Sequence, residues 1–467
     1  MKNIPILGAL RSTVPKELRS SHPPNSKTIY KGCLGLAVPS TAEALFQSLI
    51  ACVDTIMVGA LGAAAISAVG LGSQVKFLLM AVIYALNYAI VAIIARRKGE
   101  GNSASLHRCF SYSLILAFGL SSLMSVLGYF FVEDILTLLG ASSDYIKEAA
   151  LFVRWLLIGN ILSALSMAIN STLRGVGNAR ASLISNSAAN ILNVVMNYCL
   201  ISGNLGFPAL GVKGAAIATV LGNLLSLFIS FYYVIGKKQE VSLWRIPRLS
   251  LDLKDLRGFW LVGSGALVEQ IFTRIGYLTY AAIVTRLGTT AFAAHSIALN
   301  LVDVTFMLGS GIAGASSVMV GQNLGAGNKE AAVMSSHACQ RLALGASLFI
   351  AVPFLILPEE IIRIFTSDTG VIQAGAAVMP ILALCSLFQP QMLVLSGSLR
   401  GAGDAVFVAF TTLLGLTLIR PALAWLCCYP LSLGLVGAWL GMISDHILRT
   451  VLNTRRCQGI KWLNIRI

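Results

Sequence analysis

Four asparagines stand in the otherwise apolar stretch NSAANILNVVMN: Asn186, Asn190, Asn193 and Asn197. Spacings of four, three and four residues each return an α-helix to the same side, so the four amides form one stripe. Amide oxygens are good ligands for a hard monovalent cation, and one nearby carboxylate would balance its charge. Two acids have a matching spacing. Glu43 and Asp54 lie eleven residues apart in another apolar stretch, on nearly the same helical face and about 16 Å apart along the axis. Amides in such a setting also glue helices through interhelical hydrogen bonds. The residues alone leave both readings open, ion ligands or glue.

The elements that carry these groups are predicted to lie in a bilayer. With 56% hydrophobic and 11% charged residues and a mean hydropathy of +0.80, the chain of 467 residues is too apolar for a soluble globule. Runs of about 20 apolar residues, separated by short polar or glycine-rich breaks, predict an all-α membrane protein. Twelve transmembrane helices are expected, at 33–58, 66–95, 110–132, 149–172, 182–203, 210–235, 258–285, 291–321, 338–358, 372–397, 405–427 and 431–452. The short, strictly alternating strands of a membrane β-barrel do not occur.

The net charge of +15 is distributed by position. The ends of the chain, the loops after even-numbered helices and the helix ends beside them hold 26 of the 34 Lys and Arg, whereas odd-numbered loops hold Glu133, Asp134, Asp144, Glu359, Glu360 and Asp368. That asymmetry places both termini in the cytoplasm of a cell inner-membrane protein, and it accounts for the basic balance without nucleic acid. Residues 1–31, polar and basic, are expected to form an unfolded cytoplasmic tail; a transit peptide has a similar bias. The nine cysteines show no CxxC spacing, and His22, His107, His295, His337 and His446 have no metal-ligand spacing. P-loop, HExxH, GxSxG and DxDG patterns are absent, so the chain reads as no enzyme, with no cofactor beyond a coupling ion and with its energy drawn from a gradient.

The chain repeats itself at an offset of 226. Pro39 to Asn102 falls without a gap on Gly265 to Asn328, matching Glu43 with Glu269, Phe46 with Phe272, Leu61-Gly62 with Leu287-Gly288, and Gly99, Gly101 and Asn102 with Gly325, Gly327 and Asn328. LRGVGNA at 173–179 falls on LRGAGDA at 399–405. Six helices per half make this a parallel repeat about an axis along the membrane normal. The predicted organisation is a tail (1–31), an N-lobe (32–235), a cytoplasmic linker (236–257), a C-lobe (258–454) and a C-terminal tail (455–467).

VDTIMVGALG, LRGVGNA, GVKGAAIAT, LVEQ, AAHSIALN and VGQNLGAGN together resemble the multidrug and toxic compound extrusion (MATE) family of cation-coupled antiporters, in its NorM-like or DinF-like branch. The resemblance runs over essentially all twelve helices. It implies two six-helix lobes around a cavity that opens alternately inward and outward, exporting small organic cations or amphiphiles against Na⁺ or H⁺, and a monomer in the lipid bilayer. The family's cation-coupling positions fall on Asp54, Asn193, Asn197 and Thr219, where Na⁺ is one expected ion. Some members carry Asp where this chain has Asn197, so Asp54 is the only carboxylate of the cluster, and one bound monovalent ion would leave it neutral.

In the second half the gapless repeat puts Tyr280 in place of Asp54, and Ile419 and Leu423 in place of Asn193 and Asn197. There the resemblance implies a substrate or coupling role for Glu269, and Asp303 is a further candidate, alternatively a buried partner of Arg274 or Lys76. An acid that some members carry in helix 10 is missing from 372–397. Glu43, Asn190 and Tyr280 are candidates for lining the cavity. Arg420 is expected to cap or pair locally, and Asp445 and His446 to sit hydrated near the cytoplasmic end of the last helix. A lipid-linked precursor flippase and a membrane-embedded enzyme or receptor are the alternatives; they would call for a strongly basic cavity and for clustered loop acids, respectively. The charge asymmetry generates a labelling test. A cysteine placed at Asp144 is expected to react with an impermeant reagent added outside and one at Lys238 is not; reversed labelling contradicts the orientation.

Overall fold

The computed structural model describes all residues except 1–9, 22–23, 60, 141–144, 238 and 246–251, so His22, Asp144 and Lys238 lie outside the described residues. Long helices dominate and no strand occurs among the described residues. They are α1 (Ser26–Gly59), α2 (Ala63–Gly99), α3 (Ser103–Leu138), α4 (Ile146–Gly175), α5 (Ala179–Ser202), α6 (Gly211–Ile235), α7 (Leu253–Thr285), α8 (Thr289–Gly325), α9 (Lys329–Ile356), α10 (Pro358–Arg363), α11 (Thr369–Ala402), α12 (Ala405–Thr412), α13 (Arg420–Cys428) and α14 (Gly434–Gln458). A π-helical turn, Leu413–Ile419, joins α12 to α13 in one run. Among the described residues ten helical runs are long and apolar enough to cross a membrane; α5, with its asparagines, and α7, with Glu269 and Arg274, are not among them. Ile115, Phe118, Leu123 and Phe130 on α3, and Phe349 and Ile356 on α9, are exposed, as a lipid-facing surface requires.

The residues matched by the repeat turn out to be helix stops and starts. Gly62 and Gly288, Gly101 and Gly327, and Gly177 and Gly403 all take positive φ, the left-handed conformation that glycine adopts without a steric cost. Asn102, Asn178 and Asn328 then cap α3, α5 and α9, accepting from the backbone N–H three residues on at 3.0, 3.3 and 2.9 Å.

The chain divides into two compact units that do not coincide with its sequence halves. One comprises residues 42–94 and 102–256, the other 1–41, 95–101 and 257–467. The chain passes from one unit to the other within α1, two residues after Pro39, whose missing N–H removes a helical hydrogen bond. In the first unit α4 packs on α3 and α6, and α6 on α5, around Val58, Phe152, Leu156, Ile201 and Ala216. In the second, α11 packs along α8, α9 and α14 around Val302, Met379, Leu382 and Trp439.

One expectation is corrected here. The described part of the N-terminal segment is not an unfolded tail: Leu10 is fully buried, Val14 nearly so, and the Ser20 N–H and hydroxyl donate to Glu330 Oε2 at 2.8 and 2.6 Å. Two apolar residues in a basic segment suffice to dock it. The span predicted at 405–427 is one helical run, Ala405–Cys428, with a π turn inside it that hydropathy does not register.

At the end of α2 the second unit contains a reciprocal crossing. A Cβ on Gly99 would overlap the carbonyl oxygen of Gln322, and one on Gly325 that of Arg96. Gly99 and Gly325, like Arg96 and Gln322, are separated by 226 residues, so α2 and α8 meet through equivalent surfaces. Only glycine permits this approach. Gly325→Ala is expected to lower thermal stability and membrane yield, at a cost of about 1–3 kcal/mol or more. Gly314→Ala on the same helix, where a Cβ meets open space, is expected to be neutral. Equal stability of the two variants in a melting assay contradicts the crossing.

Candidate cation site

Glycines on α6 bring the asparagine stripe against its neighbours. Gly214 lies on the carbonyl oxygen of Leu200, and a Cβ on Gly222 would come within 2.9 Å of the Ala189 oxygen and 3.3 Å of the Asn193 Cβ. This close α5–α6 contact sets Thr219 beside Asn193, with its Oγ1 3.4 Å from one end of the Asn193 amide. On the other side of α5 stands α1. Asn197 donates through Nδ2 to Asp54 Oδ1 at 2.7 Å, and Asn186 donates through Nδ2 to Glu43 Oε1 at 2.5 Å. Eleven residues separate the two acids and eleven separate the two amides, so α1 and α5 run parallel and in register, clamped at both ends of the stripe.

Asp54, Asn193, Asn197 and Thr219 therefore come together in the first unit. In one orientation of the Asn193 amide, Asn197 Nδ2 also reaches its Oδ1 at 3.3 Å. Turning the Asn193 amide over satisfies it better: its nitrogen then donates to both Asp54 oxygens at 3.1 Å and its oxygen accepts from the Thr219 N–H at 3.1 Å. These partners favour the turned orientation. Two amide NH₂ groups then point at one carboxylate. Asn197 is only 2% exposed and its Oδ1 has no partner, while the Thr219 hydroxyl donates to Ala215 O at 3.0 Å. Two carboxylate oxygens, an unpaired amide oxygen and a hydroxyl oxygen are a donor set suited to a small hard cation. Lys76 of α2 is within electrostatic reach of Asp54.

The other candidates have different surroundings. Glu43 is buried, accepts from Ser182 Oγ at 2.9 and 3.1 Å as well as from Asn186, and faces Arg174 at 3.6 Å. Asn186 accepts in turn from Ser226 Oγ at 3.2 Å, so it ties α1, α5 and α6 together. Asn190 reaches neither acid; its buried Nδ2 has no partner. In the second unit Glu269 is paired with Arg400 at 3.1 Å. Asp303 is exposed and makes no hydrogen bond or ion pair among the described residues, so it is not a buried, paired acid. Tyr280 is 3% exposed and packed inside its own unit, donating to Ala438 O at 3.1 Å.

Asp445 and His446 are buried at the centre of α14 contacts, not hydrated, and Arg420 reaches across to Asp445 from α13. Their apolar helical surroundings are supplied by α11 and α13, which a reading of α14 alone does not reveal. Arg174 and Arg400 did not stand out as site residues, although both lie in the repeated LRG motif. Their occurrence 226 residues apart, the same offset that relates Glu43 and Glu269, was the available signal: each unit pairs the corresponding acid and arginine.

The comparisons with known proteins agree with this architecture. A profile of the MatE family matches residues 39–199 and 266–426. A probable multidrug resistance protein NorM of Thermotoga maritima is 30% identical over 442 residues, 93% of each chain. A probable NorM of Agrobacterium fabrum is 27% identical over 91% of this chain and 93% of its own. Among solved structures, the outward-facing conformation of a multidrug resistance MATE family transporter of the MOP superfamily superposes with a TM-score of 0.85 at 21% identity. It covers 94% of this chain and 97% of its own.

Proposed function

The chain belongs to the MatE family, a family of multi-pass membrane transporters and not of enzymes, and from that premise we propose that it is a secondary active multidrug efflux transporter. It exports small organic cations or amphiphiles in exchange for Na⁺ or H⁺, by alternating access. In this reading twelve helices form two six-helix halves related by a parallel repeat, with both termini cytoplasmic. The repeated helix ends and the reciprocal α2–α8 crossing support that arrangement.

The observation that carries the coupling reading is the single carboxylate of Asp54 facing the Asn193 and Asn197 amides, with Asn197 Oδ1 unpaired. Without an ion, the amide nitrogens solvate Asp54. An arriving Na⁺ takes their place at the carboxylate, and each amide turns its oxygen inward; an arriving proton instead makes Asp54 a donor to an amide oxygen. Either event neutralises a charge costing several kcal/mol in apolar surroundings and releases the α1–α5 clamp for rearrangement. The Glu43–Asn186 end, saturated by two serine contacts and a facing arginine, acts as the fixed end of the same clamp.

The test compares efflux of a lipophilic cation at matched membrane expression. Asp54→Asn is expected to fold and insert, because an amide at 54 still pairs with Asn197, but to lose gradient-driven efflux. Asn193→Ala and Asn197→Ala are expected to reduce efflux at least tenfold, consistent with the loss of about 1.4 kcal/mol or more of ion stabilisation, and Asn186→Ala much less. Full gradient-coupled transport by Asp54→Asn returns the asparagines to helix glue.

A further inference from the structure

The two halves of the chain differ most where the first holds its carboxylate–amide cluster. Tyr280 corresponds to Asp54, and the gapless offset of 226 pairs Asn193 with Ile419. The structure changes the second pairing. A π turn accommodates one extra residue, and the turn Leu413–Ile419 lies immediately before α13. Repeated contacts give the register on either side of it. In the first half the Leu210 N–H donates to Leu200 O at 2.8 Å and Gly214 packs on the same carbonyl. In the second half the Leu433 N–H donates to Cys427 O at 3.0 Å and Gly437 packs on that carbonyl. Leu200 thus corresponds to Cys427, a step of 227, and Asn193 corresponds to Arg420. At the start of the π turn the step is still 226: a Cβ on Gly222 would meet the Ala189 carbonyl, and at its counterpart Asp445 the side chain reaches Gly415, 226 residues after Ala189.

Arg420 is therefore the residue that stands where Asn193 stands in the first half, and its surroundings are those of a bound cation. It is 2% exposed, and its guanidinium carbon lies 5.6 Å from the ring centre of Tyr280, the counterpart of Asp54, and 5.8 Å from that of Tyr277. Its Nη2 and Nε donate to Asp445 Oδ2 at 2.6 and 3.1 Å, and Nη2 lies 3.1 Å from His446 Nε2, which as acceptor must be unprotonated. Arg449 donates to the same carboxylate at 2.6 and 2.9 Å. Two guanidinium groups on one carboxylate leave one positive charge, which opposes entry of a mobile cation.

We propose that Arg420 is a tethered cation, its guanidinium permanently filling in the second half the position that the exchangeable ion takes in the first. The consequence for transport rests on the coupling reading above: the chain exchanges its coupling ion at Asp54 alone, and the second half keeps its cation throughout the cycle. Arg420 is a positioning residue, fixing α13 and α14 around Tyr280, and it also determines which half accepts an ion.

The test is made on the full-length protein in detergent, with methylguanidinium as the probe. Arg420→Ala vacates a guanidinium-shaped space beside Asp445 and the two tyrosines. Millimolar methylguanidinium is expected to raise its melting temperature saturably and to leave the wild type without such a rise. In parallel, Arg420→Lys, which keeps the charge, is expected to be more stable than Arg420→Gln, which keeps much of the length without it; a purely packing role reverses or abolishes that order. Absence of a saturable response in folded Arg420→Ala, or an Arg420→Gln protein as stable as Arg420→Lys, overturns the proposal. Where Arg420→Ala does not fold, the order of the other two decides. Cation binding by the wild type and by Asp54→Asn is measured alongside. Loss of the coupling reading appears as wild-type binding that Asp54→Asn leaves unchanged, while the response of Arg420→Ala to methylguanidinium is untouched.

Discussion

A carboxylate among apolar helices has to be protonated, paired or solvated by the protein itself, and in the first unit amides solvate Asp54. Glu43 is solvated by an amide and a serine and also faces Arg174. Asp54 and Glu43 are held by Asn197 and Asn186 across one pair of parallel helices, and the shared spacing of eleven residues fixes their register. The serine contacts of Glu43 make one end of the clamp fully satisfied. At the other end Asn197 keeps an unpaired oxygen, so that end alone has coordinating capacity to spare. The glycines of α6 serve the same arrangement, since side chains at 214 and 222 would push Thr219 away from Asn193.

The second unit meets the same constraint by the second solution, pairing. Glu269 lies against Arg400, and Asp445 against Arg420 and Arg449. Ion pairs of this kind are costly to break, because removal of either partner strands a buried charge. Amides can turn, whereas the guanidinium of a fully packed arginine stays where its side chain ends. The same repeated sequence pattern thus carries amides around its acid in one half and arginines around its acids in the other. The π turn ahead of α13 is the local change that brings an arginine to the asparagine's place.

Much of this was legible in the sequence because it depends on periodicity. The asparagine stripe, the Glu43–Asp54 spacing and the 226-residue repeat are all regular along the chain, and the structure brings Asp54, Asn193, Asn197 and Thr219 together. What escaped was aperiodic. One extra residue in the π turn moves the counterpart of Asn193 from Ile419 to Arg420, and no hydropathy pattern marks it. The burial of Asp445 and His446 depends on neighbouring helices, so their distance from the end of α14 was a poor guide. Docking of the N-terminal segment rests on Leu10, Val14 and a serine–glutamate contact across more than three hundred residues, too sparse a signal against a basic, proline-containing background.

The exposed apolar faces, the ten helical runs able to cross a membrane and the family membership leave transport as the frame in which the Asp54 cluster has a purpose. In the proposed cycle an inward cation gradient is the energy source. The direct measurement is efflux of a lipophilic cation from vesicles containing the wild-type protein, under sodium and proton gradients imposed separately. The account predicts that one inward gradient drives efflux against the substrate's own gradient, and that its collapse stops net export. Uphill export that continues with both gradients collapsed, or that neither gradient drives, would contradict it.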